Sequence, residues 1–126
     1  MTGLLYPAFR SALFKLDPEK AHGLSLAAIA RVGRTPGLRA AVASRFAAPG
    51  AEPVEVCGLR FPNRVGLAAG YDKDGEAWRG LACLGFGHIE VGTVTPEPQP
   101  GNPQPRVFRL VERRSLINRM GFPGRG

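Results

Sequence analysis

The sequence contains no run of eighteen apolar residues, so no helix in it is built to span a bilayer. Near its start there is no apolar stretch followed by a small-residue cleavage site, so no secretory leader is expected. Cysteine is scarce. Cys57 and Cys83 are the only two, their spacing suits no metal site, and both read as reduced residues in apolar surroundings of a cytoplasmic protein. Acids are scarce as well, 10 against 17 Lys and Arg. Aromatics are few, with one Trp, two Tyr and seven Phe. They fall mostly at core-like positions and are missing from the basic face, which argues against a nucleic-acid surface. Internal repeats and low-complexity tracts are also missing, so neither a solenoid nor a disordered tail is expected.

What is present suits a folded domain. The 126 residues allow one domain, or one domain with a small appendage, and 44% are hydrophobic. The 17 glycines and 12 prolines are scattered as turn punctuation. Net charge is +7, and it is uneven: residues 1–48 hold seven basic side chains against Asp17 and Glu19. That stretch is also rich in Leu, Ala and Phe. Basic, apolar and helical together fit an anionic membrane surface, with an ordinary solvated basic face as the alternative.

The periodicity predicts helices first. Tyr6, Phe9, Leu13 and Leu16 recur at helical spacing. Asp17-Pro18-Glu19 restarts a helix, with Asp17 as N-cap and Pro18 at the first helical position. Leu24, Ala28 and Val32 form its expected inner stripe, and Gly33 with Thr35-Pro36-Gly37 ends it. A third short helix is expected over Leu38–Phe46. A linker follows at 47–53. Beyond it Val54, Val56, Leu59 and Phe61 read as a hairpin turning at Cys57-Gly58. Val65–Ala69 reads as a strand. Gly75–Leu84 reads as a helix with Trp78, Leu81, Ala82 and Leu84 inward, and His88–Val94 as a second strand. Strand, helix, strand implies an α/β fold with parallel strands and a right-handed crossover. Val107–Leu110 and Ser115–Asn118 flank a turn at Glu112-Arg113-Arg114. Nothing covers the second parallel strand afterwards, so the pattern reads as interrupted.

Several positions carry chemistry. Ala68-Ala69-Gly70-Tyr71-Asp72-Lys73 follows a strand, where small residues let a ligand approach the backbone and Lys73 offers a cation; a tight turn with Lys73 paired to Asp72 or Asp74 is the bland alternative. Thr93 and Thr95 end the next strand, as hydrogen-bonding groups or as β-branched packing. Asn118 can serve an imide edge and Arg119 a carboxylate, unless the segment through Met120, Gly121 and Phe122 is only a polar loop. His22 and Arg109 have equally ordinary readings, as a structural helix histidine and an outward strand residue. No metal ligand set is evident.

In order along the chain, Leu16–His22 (LDPEKAH), Leu67–Lys73 (LAAGYDK), Glu90–Pro96 (EVGTVTP), Gln99–Pro103 (QPGNP), Pro105–Leu110 (PRVFRL) and Ile117–Phe122 (INRMGF) resemble class 2, quinone-dependent dihydroorotate dehydrogenase. The resemblance covers nearly the whole chain and stops at Gly126, roughly the first third of a family chain; a full barrel of this kind needs about 250 residues. It implies an incomplete (β/α)8 TIM barrel, first strands only, preceded by a small N-terminal helical domain. Residues 1–48 would form the helical membrane and quinone-access domain, and 53–126 the start of the FMN-binding barrel.

The implied activity is oxidation of dihydroorotate to orotate in pyrimidine synthesis, with FMN as cofactor and ubiquinone or menaquinone as acceptor. Ala69, Gly70, Tyr71, Asp72, Lys73 and Thr93 would line FMN. Lys73, Asn118, Arg119, Met120, Gly121 and Phe122 would hold the substrate. His22 and Arg109 would line the quinone path. The serine base and the FMN phosphate site map beyond Gly126, and Ser115, Cys57 and Cys83 are not that base. The 126 residues alone are therefore expected to be inactive. Pro123-Gly124 stands where many members carry asparagine, which leaves the loop after Phe122 open. The implied location is peripheral, on the cytoplasmic side of the cell membrane, with no nucleic-acid partner. A helical membrane-binding module without catalysis is the rival; vesicle binding by 1–48 without flavin binding elsewhere would favour it.

Overall fold

The computed structural model describes residues 5–47 and 50–126. Three helices come first: α1 (Leu5–Phe14), α2 (Pro18–Arg34) and α3 (Pro36–Phe46). Asp17 starts α2 as the sequence indicates. Its Oδ1 accepts from the Glu19 and Lys20 amides, each at 3.0 Å, which contributes about 1 kcal/mol. Pro18 and Pro36 occupy first-turn positions where a missing N–H costs nothing. Pro36 also forces Thr35 to extend, at φ −108° and ψ 104°, and so ends α2. The linker expected over 47–53 falls partly, at 48 and 49, outside the described residues.

Strands follow. β1 (Val54–Val56) and β2 (Leu59–Phe61) pair antiparallel. Their two-residue turn puts Cys57 at φ 51° and Gly58 at φ 76°, the twist that a tight hairpin needs. β3 (Gly66–Leu67) and β4 (His88–Ile89) are parallel neighbours joined through α4 (Trp78–Leu81), the crossover that the sequence implies. β5 (Val107–Leu110) and β6 (Ser115–Asn118) form a second antiparallel hairpin.

The core lies between α2, α4 and the parallel pair. Ala30, Ala77 and Leu81 are buried there, with Leu26, Ile29, Leu67, Tyr71, Leu84 and Ile89 packed around them. Leu81 alone, fully buried, is worth about 1.5–3 kcal/mol. Glycine sets the approach of the helices. A Cβ on Gly33 would lie 2.6 Å from the Gly80 nitrogen, and one on Gly80 would strike the Ile29 carbonyl. The core therefore crosses the expected boundary between residues 1–48 and 53–126.

Several expectations shift. The inner face of α2 is Ala21, Leu26, Ile29, Ala30 and Gly33, while Leu24 and Ala28 face out. The tight contact with α4 selects small residues, so an apolar stripe drawn through Leu24 picks the wrong side. Tyr6 and Phe9 of α1 are exposed, as are Trp78 and Ala82. Helix occupies only the end of 75–84, because the segment before Trp78 is taken up by a loop built around Asp72. Both parallel strands are shorter than expected. Cys83 is buried, but Cys57 is exposed at the hairpin turn.

Candidate functional site

The ends of β3 and β4, the α1–α2 junction and the β5–β6 hairpin surround one cavity of ≈ 830 Å³. Ala69, Gly70, Tyr71 and Lys73 reach it from the loop after β3, and Thr93 from the segment after β4. Asn118, Arg119, Met120, Gly121 and Phe122 line it from the end of β6 onward, and His22 and Arg109 from the helical side. Twelve of the thirteen residues that the resemblance assigns to the site thus line this space, while Thr95 lies outside it and donates to the Glu97 carbonyl.

Asp72 is the exception. It is 1% exposed, and its two carboxylate oxygens accept the Glu76 and Ala77 amides, each at 2.8 Å. Its backbone carbonyl accepts from Gly92, and Gly70 donates to the Gly92 carbonyl. Asp72 therefore shapes the loop that presents Lys73 and does not itself line the cavity. Satisfying two amides inside the fold is what a buried carboxylate requires.

Lys73 donates from Nζ to the Gly70 carbonyl at 2.6 Å. Among the described residues no carboxylate forms an ion pair with it, so neither Asp72 nor Asp74 neutralises it. Burial, followed by the nearby Arg106 charge, holds its pKa below the usual lysine value. A half-buried cation whose charged form is disfavoured gains most from an anion or an electron-rich carbonyl brought in beside it.

His22 stacks edge-on against Tyr71, with ring centroids 4.9 Å apart. Ser25 hydrogen-bonds the Tyr71 hydroxyl at 2.8 Å, tying α2 to the loop after β3. Burial and then the Lys73 charge lower the His22 pKa, which favours the neutral ring.

Arg109 is not the outward strand residue of the plain reading. It donates to the Leu16 carbonyl at 2.7 Å and, more weakly, to the Leu13 and Phe14 carbonyls, with its guanidinium 4.7 Å over the Phe14 ring. A cation at the last carbonyls of α1 satisfies groups that the helix leaves free. It anchors α1 against β5 and forms part of the cavity wall.

Sequence reasoning missed Glu19 and Asn102, both on the wall, and Arg106 behind it. Arg106 binds Glu19 through a forked ion pair of side chains only 11% and 19% exposed. The two are far apart in the sequence, so no local pattern reveals the pair. Asn102 sits in the quoted GNP motif, and its turn glycine was the available signal. Among the described residues no cluster of three or more His, Cys, Asp or Glu is placed to hold a metal. No helix there is long and apolar enough to cross a membrane.

The geometry has counterparts in known proteins. Residues 52–126 match the family model described as dihydroorotate dehydrogenase. A protein of Aromatoleum aromaticum named dihydroorotate dehydrogenase (quinone) is 58% identical over 98% of this chain and 33% of its own length. One of the same name from Burkholderia cenocepacia is 60% identical over 100% of this chain and 35% of its own. The chain therefore spans about a third of the length of the curated relatives it matches. The ligand-free crystal structure of a DHODH from Eimeria tenella superposes with a TM-score of 0.72 at 42% identity, over 87% of this chain and 28% of the other. Its complex with ferulenol gives 0.69 at 42% identity, over 85% and 27%. These likenesses agree with an α/β fold that has a helical N-terminal region and the start of a barrel.

Proposed function

The chain belongs to the dihydroorotate dehydrogenase family, and from that premise we propose that it supplies part of the active site of a quinone-linked enzyme oxidising dihydroorotate to orotate in pyrimidine biosynthesis. The observation that carries this reading is one cavity lined by Lys73 and Asn118 together with His22 and the α1 end. β3 and β4 are the first strands of a (β/α)8 barrel, and their C-terminal ends face the cavity, where barrel enzymes place their chemistry.

FMN is the cofactor, and the donor set suits it. Gly70 has φ +104° and nothing within 4 Å of where a Cβ would stand, so a flat ring can lie against the backbone there. Lys73 and the Thr93 hydroxyl offer donors to ring carbonyls, with Ala69 and Tyr71 completing that wall. FMN held there would supply the hydride-accepting chemistry for substrate oxidation. Asn118 both donates to and accepts from the substrate's imide edge. Arg119, Met120, Gly121 and Phe122 complete the substrate side, and Lys73 shares its charge between substrate and flavin. The proton-accepting serine that the resemblance implies is not among these 126 residues.

The α1–α2 end admits ubiquinone or menaquinone past neutral His22 and the fixed Arg109. α1 exposes Tyr6 and Phe9 beside Arg10 and Lys15, a combination suited to an anionic membrane on its cytoplasmic side. The test is spectral. In the full protein containing this chain, dihydroorotate should bleach the flavin band and a quinone should restore it, whereas the 126 residues alone with added FMN should give no turnover. A flavin band that dihydroorotate leaves unchanged would refute the proposal.

A further inference from the structure

Arg106 does not line the cavity, yet its side chain joins the first turn of α2 to the backbone of residues 100–102. Its Nε and Nη2 grip the Glu19 carboxylate, with contacts of 3.0, 3.2 and 2.6 Å. Its Nη1 reaches back to the Pro100 carbonyl at 2.9 Å and the Asn102 carbonyl at 3.1 Å, which curls residues 100–106 around the guanidinium. Asn102, held in that curl, donates its amide N–H to the Met120 carbonyl at 2.9 Å and its Nδ2 to the Arg119 carbonyl at 2.6 Å. The Arg119 amide returns a bond to the Arg106 carbonyl at 2.8 Å.

The two loops have no slack between them. Gly101 and Gly121 both adopt φ +73°; a Cβ on Gly121 would come within 2.9 Å of the Asn102 side chain, and one on Gly101 would strike the Met120 carbonyl. A shift of the 100–106 curl must therefore carry residues 119–121 with it. Glu19 in turn is fixed by its place in the first turn of α2, directly after the Asp17 cap.

We infer that Glu19 and Arg106 are positioning residues: through their ion pair the first turn of α2 sets the place of the Asn118–Phe122 loop, and hence the fit of the organic substrate. The inference rests on the proposed function for what the loop holds. A planar fork with four donors in use is not replaceable by the point charge of lysine.

The experiment compares Arg106→Lys, Glu19→Gln and Glu19→Asp in the full holoenzyme. Two readouts are taken: amide hydrogen exchange, and KM against kcat for dihydroorotate. Loss of the fork should speed exchange at the Asn102 and Arg119 amides about tenfold, the factor for one charge-assisted hydrogen bond. The Gly80 and Leu81 amides of the core should not change. KM should rise about tenfold while kcat falls by less, with Glu19→Asp intermediate. Glu19→Gln keeps the side-chain size and leaves the Arg106 bonds to Pro100 and Asn102 intact, so it decides the matter if Arg106→Lys fails to fold. Unchanged exchange at both amides overturns the inference, as does faster exchange with an unchanged KM. If the wild-type enzyme does not oxidise dihydroorotate but the amides respond as stated, the proposed function falls and the clamp stands.

Discussion

Lys73 enters the cavity with a carbonyl rather than a carboxylate as its partner, and burial holds its pKa below the usual lysine value. Its charge is most useful once an anionic or carbonyl-bearing ligand arrives. Lys73→Ala in the full enzyme should therefore cut dihydroorotate turnover by one to two decades, the equivalent of about 1.5–3 kcal/mol. Thermal stability should hardly change, because the lost group was poorly solvated in the folded state. A variant with wild-type turnover and flavin content would contradict this role. Lys73 was noticeable in the sequence as a cation after Ala-Ala-Gly, but only the family resemblance chose the site over a turn paired to Asp72 or Asp74. The duty of Asp72 was not legible, since it depends on two amides that only the folded loop turns toward it. Arg109 was legible as a wall residue only through the family resemblance; its partners are carbonyls at the end of α1 and in the turn after it, some ninety positions earlier, which no pattern in the strand encodes.

Among the elements, the start of α2 was the most readable because capping is local: Asp17 and Pro18 act within a turn of themselves, whereas Pro36, read as a stop, opens α3 two residues before the expected Leu38. The buried face of α2 was not readable. Ala and Gly recur on every side of that helix, so hydrophobic periodicity is weak, and the glycine contact with α4 decides which face turns in. Two substitutions in α2 and α4 test that account. Gly80→Ala drives a methyl into the Ile29 carbonyl and should destabilise by about 1–3 kcal/mol. Gly23→Ala has nothing within 4 Å of its Cβ and should stabilise by about 0.4–1 kcal/mol by restricting the unfolded chain. Denaturant unfolding of the two variants should move in opposite directions; equal shifts would remove the close approach from the explanation. The hairpins were readable for the same local reason as the caps. The parallel pair was readable in order and direction but not in length, because β3 and β4 end where the loop bonds of Gly70 and Gly92 begin.

For the molecule as a whole, a helical start followed by parallel strands was visible in the change of period after the linker. What the sequence did not reveal is that the helical segment divides its duties. α2 shares the core with α4, whereas α1 is held at its end by Arg109 and leaves Tyr6 and Phe9 exposed. Removing all of 1–48 would strip Leu26, Ile29 and Ala30 from Leu81 and test stability rather than function. Removing residues 1–15 spares the Asp17 cap and the core, yet it takes away Leu13 and Phe14 from the cavity wall along with the basic, apolar face. Each basic residue near an anionic surface contributes about 1 kcal/mol, so the proposed membrane binding should weaken too. The most direct measurement is stopped-flow flavin absorbance of the full enzyme lacking 1–15, with each half-reaction followed separately. The account predicts that dihydroorotate still bleaches the flavin near the wild-type rate while reoxidation by a long-chain quinone is largely lost. A folded variant reoxidised by that quinone at the wild-type rate would contradict it, because α1 and the cavity mouth it forms would then have no part in delivering electrons.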